Sequence, residues 1–215
     1  MSTETPKLKL TYFDKKARAE PIRLALAIND IPFENECLQT REQWIALKPT
    51  ILFGQLPILT VNNTTVIAQS TAILRYVGKL GPLKLYPDDP LKAALVDQLI
   101  SQVQDIEASF RPSTAERDAE KKLTMRAELA EKGLPPLFSA LDTFIEKNWS
   151  GFATGEEITI GDLFVYQMNN SYTLVGLGAY DGIPPTILDP YPNIQKLVAA
   201  VKAHPAVVKW ESTHQ

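Results

Sequence analysis

The sequence predicts an α/β domain built on a mixed sheet, followed by an all-helical domain. Three observations carry this reading. Up to about residue 83 the apolar spacing switches between the two-residue period of strands and the 3.6-residue period of helices. A stretch rich in breakers follows, with Gly81-Pro82 and then Pro87-Asp88-Asp89-Pro90. Beyond it the spacing is helical, with no strand pattern of comparable strength and no internal repeat. The expected boundaries are 1–83 for the first domain, 84–90 for the linker and 91–215 for the second domain.

Each element has its own signal. Leu8-Lys9-Leu10-Thr11-Tyr12 alternates apolar and polar, as a half-buried strand does. Pro21 sits where a first helical turn tolerates it, and Ile22, Leu24, Ala25, Leu26 and Ile28 follow until Asn29-Asp30 ends the helix. Phe33 to Leu38 reads as a second strand, parallel to the first because a helix separates them. Gln43 to Leu47 reads as a short helix. Pro57 to Val61, then Asn62-Asn63, then Thr64 to Ala68 reads as a hairpin, since asparagine tolerates the positive φ of a two-residue turn. Ser70 is placed to cap a helix through Ile73, Leu74, Tyr76 and Val77. The order is β-α-β-α-β-β-α, a parallel βαβ unit joined to an antiparallel hairpin, which is the thioredoxin-like arrangement. In the second domain Leu91, Leu95, Leu99, Val103, Ile106 and Phe110 form one stripe on a long helix. Leu123 to Ile145 gives another helix, interrupted near Gly133 and Pro135-Pro136. Thr159 to Met168 and Asn193 to Ala203 give two more.

Composition narrows the function classes. A chain of 215 residues, 45% apolar, buries a core without disulfides or structural metal. A net charge of −3 leaves no basic footprint for nucleic acid. Cys37 is the only cysteine, so intramolecular disulfides and cysteine-rich zinc sites are excluded and a reducing, cytoplasmic setting is expected. The start, Met1 to Lys9, is polar, so no secretory signal is expected, and no run of about 18 apolar residues suggests a membrane span. Gly176-Leu177-Gly178 with Gly182 departs from a dinucleotide loop in its last spacing and follows no strand.

Four segments in register carry a resemblance. They are Tyr12-Phe13 with Arg18-Ala19-Glu20-Pro21-Ile22-Arg23, Phe53-Gly54-Gln55-Leu56-Pro57-Ile58-Leu59, Gln69-Ser70 with Ala72 to Tyr76, and Thr159-Ile160-Gly161-Asp162. Together they resemble cytosolic glutathione transferases of the tyrosine type, sigma class in particular, and the likeness spans both domains. It implies glutathione as co-substrate, a homodimer and conjugation to small hydrophobic electrophiles in detoxification. Two alternatives stay open: a glutathione-dependent isomerase such as a prostaglandin D synthase, or a non-catalytic, crystallin-like relative.

The resemblance also assigns roles. Tyr12 donates a hydrogen bond to the glutathione sulfur, and Arg18 adds positive charge beside it. Leu56 pairs with the cysteinyl backbone next to a cis peptide at Pro57. Gln69 and Ser70 take the γ-glutamyl carboxylate, while Trp44, Lys48 and Gln55 reach the glycyl end. Asp105 meets the glutamyl ammonium of the neighbouring subunit. Phe13, Ile106, Phe110 and Tyr172 line the electrophile pocket. Taken singly, each has a plainer reading: Tyr12 packs on the sheet, Ser70 caps a helix, Asp105 is a solvated helix charge and the pocket residues are core. Ser101 and Gln104 stand where sigma-class prostaglandin synthases carry further acidic residues, so no metal site is expected. The chain departs from the family at Ala17, where glycine is usual, and a positive φ there strains an alanine.

Overall fold

A four-stranded sheet, in the order Glu34–Leu38, Leu8–Phe13, Ile58–Val61, Thr65–Ala68, organises the N-terminal part of the chain. The structure, a computed structural model, describes residues 6–173 and 180–214, leaving out the side chains of 172 and 173. Strands β1 (Leu8–Phe13) and β2 (Glu34–Leu38) are parallel and joined by helix α1 (Glu20–Ile28). Helix α2 (Arg41–Leu47) leads to β3 (Ile58–Val61), which runs antiparallel to both β1 and β4 (Thr65–Ala68). Helix α3 (Ser70–Gly78) closes the βαβαββα order.

Local chemistry accounts for the boundaries. Asn62 and Asn63 have φ of 51° and 57°, the two-residue hairpin turn expected of an Asn pair. Helix α2 begins two residues before its apolar signal, because Thr40 and Gln43 form a reciprocal capping box that the spacing did not reveal. The Asn29 side chain accepts from the Leu83 N–H at 2.9 Å and donates to the Leu83 carbonyl at 3.0 Å, tying the end of α1 to the chain beyond α3. Gly81 makes room for it: with φ +75°, a Cβ there would lie 2.7 Å from Asn29 Oδ1.

The chain divides into two units, one running to Tyr86 and including the segment from Pro205, the other Pro87–His204. The division between the units lies between Tyr86 and Pro87. The end of the chain differs from expectation: helix α10 (Pro205–Thr213) groups with the first unit, not with the helical domain. Its sequence carries only a brief apolar signal, and its partner is α1, more than 170 residues away in sequence.

In the second unit, α4 (Pro90–Ser109) is followed by short α5 (Arg111–Ala115), α6 (Ala119–Glu128) and α7 (Leu134–Asn148). Between α6 and α7, Leu129–Gly133 forms a π-helical turn, the interruption that Gly133 signalled. Pro135 and Pro136 lie in the first turn of α7, where the missing N–H groups have no intrahelical partner anyway. Helices α8 (Ile160–Thr173) and α9 (Pro192–Lys202) complete the bundle, with α8 packed on α4 and α9. The stripe on α4 begins later than expected. Val96, Leu99, Ile100, Val103 and Ile106 are buried, whereas Leu91 is 71% exposed, because periodicity identifies a helix face and not how much of it a neighbour covers.

The start of α8 is held by a buried carboxylate. Asp162, fully buried, accepts from the Thr159 N–H at 2.6 Å, the Thr159 hydroxyl at 2.7 Å and the Ala153 N–H at 2.9 Å. Only half of the expected reciprocal box forms: the Thr159 hydroxyl donates to the carboxylate, the Asp162 N–H reaches the Thr159 backbone carbonyl at 3.1 Å, and Ala153 from the preceding loop supplies the further donor. Burial outweighs these donors and pushes the Asp162 carboxyl up to about 6. Among the described residues no helix is long and apolar enough to cross a membrane.

Candidate active site

Strand register decides what lies beside Tyr12. It pairs with Cys37 across parallel β2, while Thr11 pairs with Ile58 and Ile58 with Ala68. One step past the last registered pairs, Tyr12, Pro57 and Gln69 come to the same end of the sheet.

Tyr12 is buried, with its ring edge-on to Phe13 at 5.4 Å between centroids. Half-buried Phe13 turns edge-on to Trp44 at 5.6 Å. The Lys48 ammonium stands 5.8 Å from the Trp44 ring, as the four-residue spacing of one helical turn allows. Lys48 is exposed, and a Cβ at Gly54 would meet its Cε at 3.5 Å, so it lies along the loop that leads to Gln55. Gln55 accepts from the Gln69 side-chain amide at 3.3 Å. The Leu56-Pro57 peptide between them is cis.

Gln69, not Ser70, is the cap residue of α3, and Ser70 is the first helical residue. The Gln69 side chain makes no capping bond, and its backbone holds φ +72° and ψ 114°, a conformation that side chains strongly disfavour. The opening N–H groups of α3 therefore have no cap from that residue, and a helix start of this kind suits a carboxylate. Lys48 presents an exposed cation. The two sit along one sheet end, beside a tyrosine.

Other expected residues are placed differently. Arg18 lies on a 3₁₀ turn, Ala17–Ala19, and is exposed, with no ion pair recorded for it among the described residues. Ala17 has φ +38°, so the alanine does occupy a glycine-favouring conformation. Asp105 is exposed on α4. Ile106 and Phe110 are buried, Phe110 meeting Tyr180 edge-on at 4.8 Å. The Tyr172 side chain, and Gly176 to Gly178, lie outside the described residues.

Sequence reasoning passed over a buried charge cluster under Tyr12. Arg23 is 4% exposed, with its guanidinium carbon 5.9 Å from the Tyr12 ring centroid, and Glu20 is 2% exposed. The available signal was two opposite charges three apart within an otherwise apolar helix. On β1 and β2, Thr11 donates to Glu36 at 2.6 Å, which holds that carboxyl below its usual range. Among the described residues no group of three or more His, Cys, Asp or Glu side chains is arranged to hold a metal ion.

Residues 8–79 match the family model for the glutathione S-transferase N-terminal domain, and residues 104–214 that for the glutathione S-transferase C-terminal domain. The chain belongs to the glutathione S-transferase family. It is 34% identical over 211 residues to Glutathione S-transferase 1 of Ascaris suum, covering 95% of each chain. Over 206 residues it is 33% identical to the hematopoietic prostaglandin D synthase of Mus musculus, again covering 95% of each. A solved glutathione S-transferase from Necator americanus, described as monomeric Na-GST-3, superposes with a TM-score of 0.78 at 30% identity over 97% of this chain and 98% of that one. Membership makes the chain a transferase with glutathione as its co-substrate, built on the family's thioredoxin-like and helical halves.

Proposed function

We propose that this sigma-like transferase activates the glutathione thiol with Tyr12 and directs it at small hydrophobic electrophiles in a detoxifying, cytoplasmic role. A free thiol is mostly protonated at neutral pH, and the thiolate is the nucleophile. Lowering its pKa by two units requires about 2.7 kcal/mol of preference for the anion. One charge-assisted hydrogen bond from a tyrosine hydroxyl supplies about 1.5–3 kcal/mol. Arg18, exposed to solvent, adds a smaller, screened attraction. The thiolate then forms the carbon–sulfur bond, and the leaving group departs with its electron pair.

In this reading the opening turn of α3, at Gln69 and Ser70, takes the γ-glutamyl carboxylate. Lys48, with Trp44 and Gln55, takes the glycyl carboxylate. The Leu56 backbone pairs with the cysteinyl residue as an added strand. The observation that carries the reading is the register that brings Tyr12, Pro57 and Gln69 to one sheet end.

The test is turnover of glutathione with a chlorodinitrobenzene-type electrophile across pH. Tyr12→Phe is expected to keep the fold and glutathione affinity, to lose most turnover and to shift the acidic limb of the profile upward. An unchanged rate and profile would remove Tyr12 from the mechanism. Likeness to the mouse prostaglandin D synthase supports a second reading, an isomerase that regenerates glutathione. Glutathione stoichiometry separates the two, since conjugation consumes one molecule per turnover and isomerisation none.

A homodimer is part of the proposal. Leu52 and Phe53 are 67% and 62% exposed, neighbouring apolar side chains on one loop, and Asp105 is exposed on α4. In the dimer Asp105 meets the glutamyl ammonium held by the neighbouring subunit.

A further inference from the structure

The chain that follows Tyr12 is held from below by a cluster that no assigned role explains. Arg23 Nη1 donates to the Lys15 carbonyl at 3.0 Å and to Glu20 Oε2 at 3.0 Å, while its Nε donates to Asn35 Oδ1 at 3.1 Å. Three elements therefore converge on one guanidinium: α1, the segment after β1, and β2. The other Glu20 oxygen accepts from the Trp210 indole N–H of α10 at 3.0 Å. Trp210 is itself fixed between Phe33, stacked at 5.9 Å, and His214, stacked at 3.7 Å. Helix α10 reaches the same segment a second way, Glu211 lying 3.8 Å from the Lys16 ammonium. All of these residues belong to the first unit.

A buried arginine is expensive unless its hydrogen bonds are met, and here Nη2 has no partner among the described residues. Mere filling of this space would be better served by apolar side chains. What the guanidinium offers is a rigid fork that holds a backbone carbonyl three residues past Tyr12 while its charge stands over the Tyr12 ring. A cation over the ring face favours electron withdrawal from the phenol and makes its hydroxyl a stronger donor. The Lys15 anchor restrains the segment that ends in Ala17, whose positive φ gives it reason to relax.

We propose that Arg23 is a positioning residue for Tyr12, and that Glu20 and the Trp210 indole of the C-terminal helix complete the same device. The proposal rests on Tyr12 being the thiol-activating group. Loosening the cluster displaces the tyrosine hydroxyl from the sulfur and raises the pKa of bound glutathione without removing any group that touches it.

Two substitutions test this in the full chain, assayed beside Tyr12→Phe. Arg23→Lys keeps a buried cation for Glu20, but one ammonium does not span Lys15, Glu20 and Asn35 together. Trp210→Phe keeps an aromatic ring in the stack and removes the N–H donor, together with part of the indole's contact area. The readouts are the pH–rate profile, a spectroscopic titration of the bound glutathione thiolate, glutathione affinity and melting temperature. Arg23→Lys is expected to move the acidic limb up by about 0.5–1 pH unit, so that turnover below the limb falls about 3–10-fold. Glutathione affinity is expected to stay within about twofold. Trp210→Phe moves the limb in the same direction by less, and decides the matter alone if Arg23→Lys does not fold. A wild-type profile in the folded variants, whatever their melting temperature, makes the cluster purely structural and overturns the proposal while the Tyr12 reading stands. If Tyr12→Phe itself leaves rate and profile unchanged, the underlying reading fails and this one fails with it.

Discussion

Two residues near the sheet end hold backbone conformations that their side chains oppose. Ala17 has φ +38° and Gln69 has φ +72°. Such strain persists only where the surroundings impose it, and it gathers at functional sites. At Gln69 the gain is visible: the helix start is left open and the amide reaches Gln55. At Ala17 the turn leads from Tyr12 into α1, and glycine removes the Cβ clash. Ala17→Gly is expected to stabilise the protein by about 0.5–1 kcal/mol, after allowing for the greater freedom of an unfolded glycine. Calorimetry should show a rise of about 1–4 °C. A fall in melting temperature would mean that the chain has already relaxed around the alanine.

Among the elements, the start of α8 depends on one buried side chain. Removing the Asp162 carboxylate leaves the N–H groups of Thr159 and Ala153 buried without acceptors, a cost of about 1–3 kcal/mol for each. Asp162→Ala should therefore lower thermal stability and refolding yield, with the glutathione affinity of the folded fraction nearly intact. A variant as stable as the parent but unable to bind glutathione would assign Asp162 to the site instead. The pH dependence has a definite sign. Burial raises this carboxyl from 3.8 to about 6, so the folded state binds the proton more tightly than the unfolded chain. Its contribution is fully present below about pH 4 and is lost as pH rises through about 6. Asp162→Asn, neutral throughout, should flatten that part of the curve of melting temperature against pH. An equal slope in both proteins would assign the dependence to another group.

At the scale of the whole molecule, the open question is assembly. The proposed dimer predicts sedimentation as a two-chain species at micromolar concentration. If Asp105 completes the neighbouring site, glutathione should tighten the dimer, and Asp105→Ala should weaken both glutathione binding and assembly. Phe53→Ser, which removes an exposed aromatic from the unit that carries Tyr12, should shift the equilibrium toward monomer. A monomer with and without glutathione, binding glutathione normally and indifferent to Asp105→Ala, would refute the shared site and place the chain beside its monomeric Necator americanus relative.

The sequence by itself determined whatever is written in local chemistry. The Asn62-Asn63 turn, the break at Gly133, the period of each strand and the pairing of Thr159 with Asp162 all act over a few residues. The family motifs were legible for the same reason, since Tyr12, the Leu56-Pro57 bond and Gln69-Ser70 each occupy a short, ordered segment. Only the tertiary structure decided which long-range partners those segments meet. Leu91 and Leu99 share a stripe, yet one is exposed and the other is buried, because coverage depends on a neighbour distant in sequence. No role for Arg23 is legible in the sequence; the fold brings Lys15, Asn35 and Glu20 to its guanidinium and Trp210 to Glu20. A buried charge is tolerated only when its hydrogen bonds are met together, and for the Arg23 and Glu20 pair the elements that meet them, α1, β2, the segment after β1 and α10, are assembled by the fold and not by a local pattern.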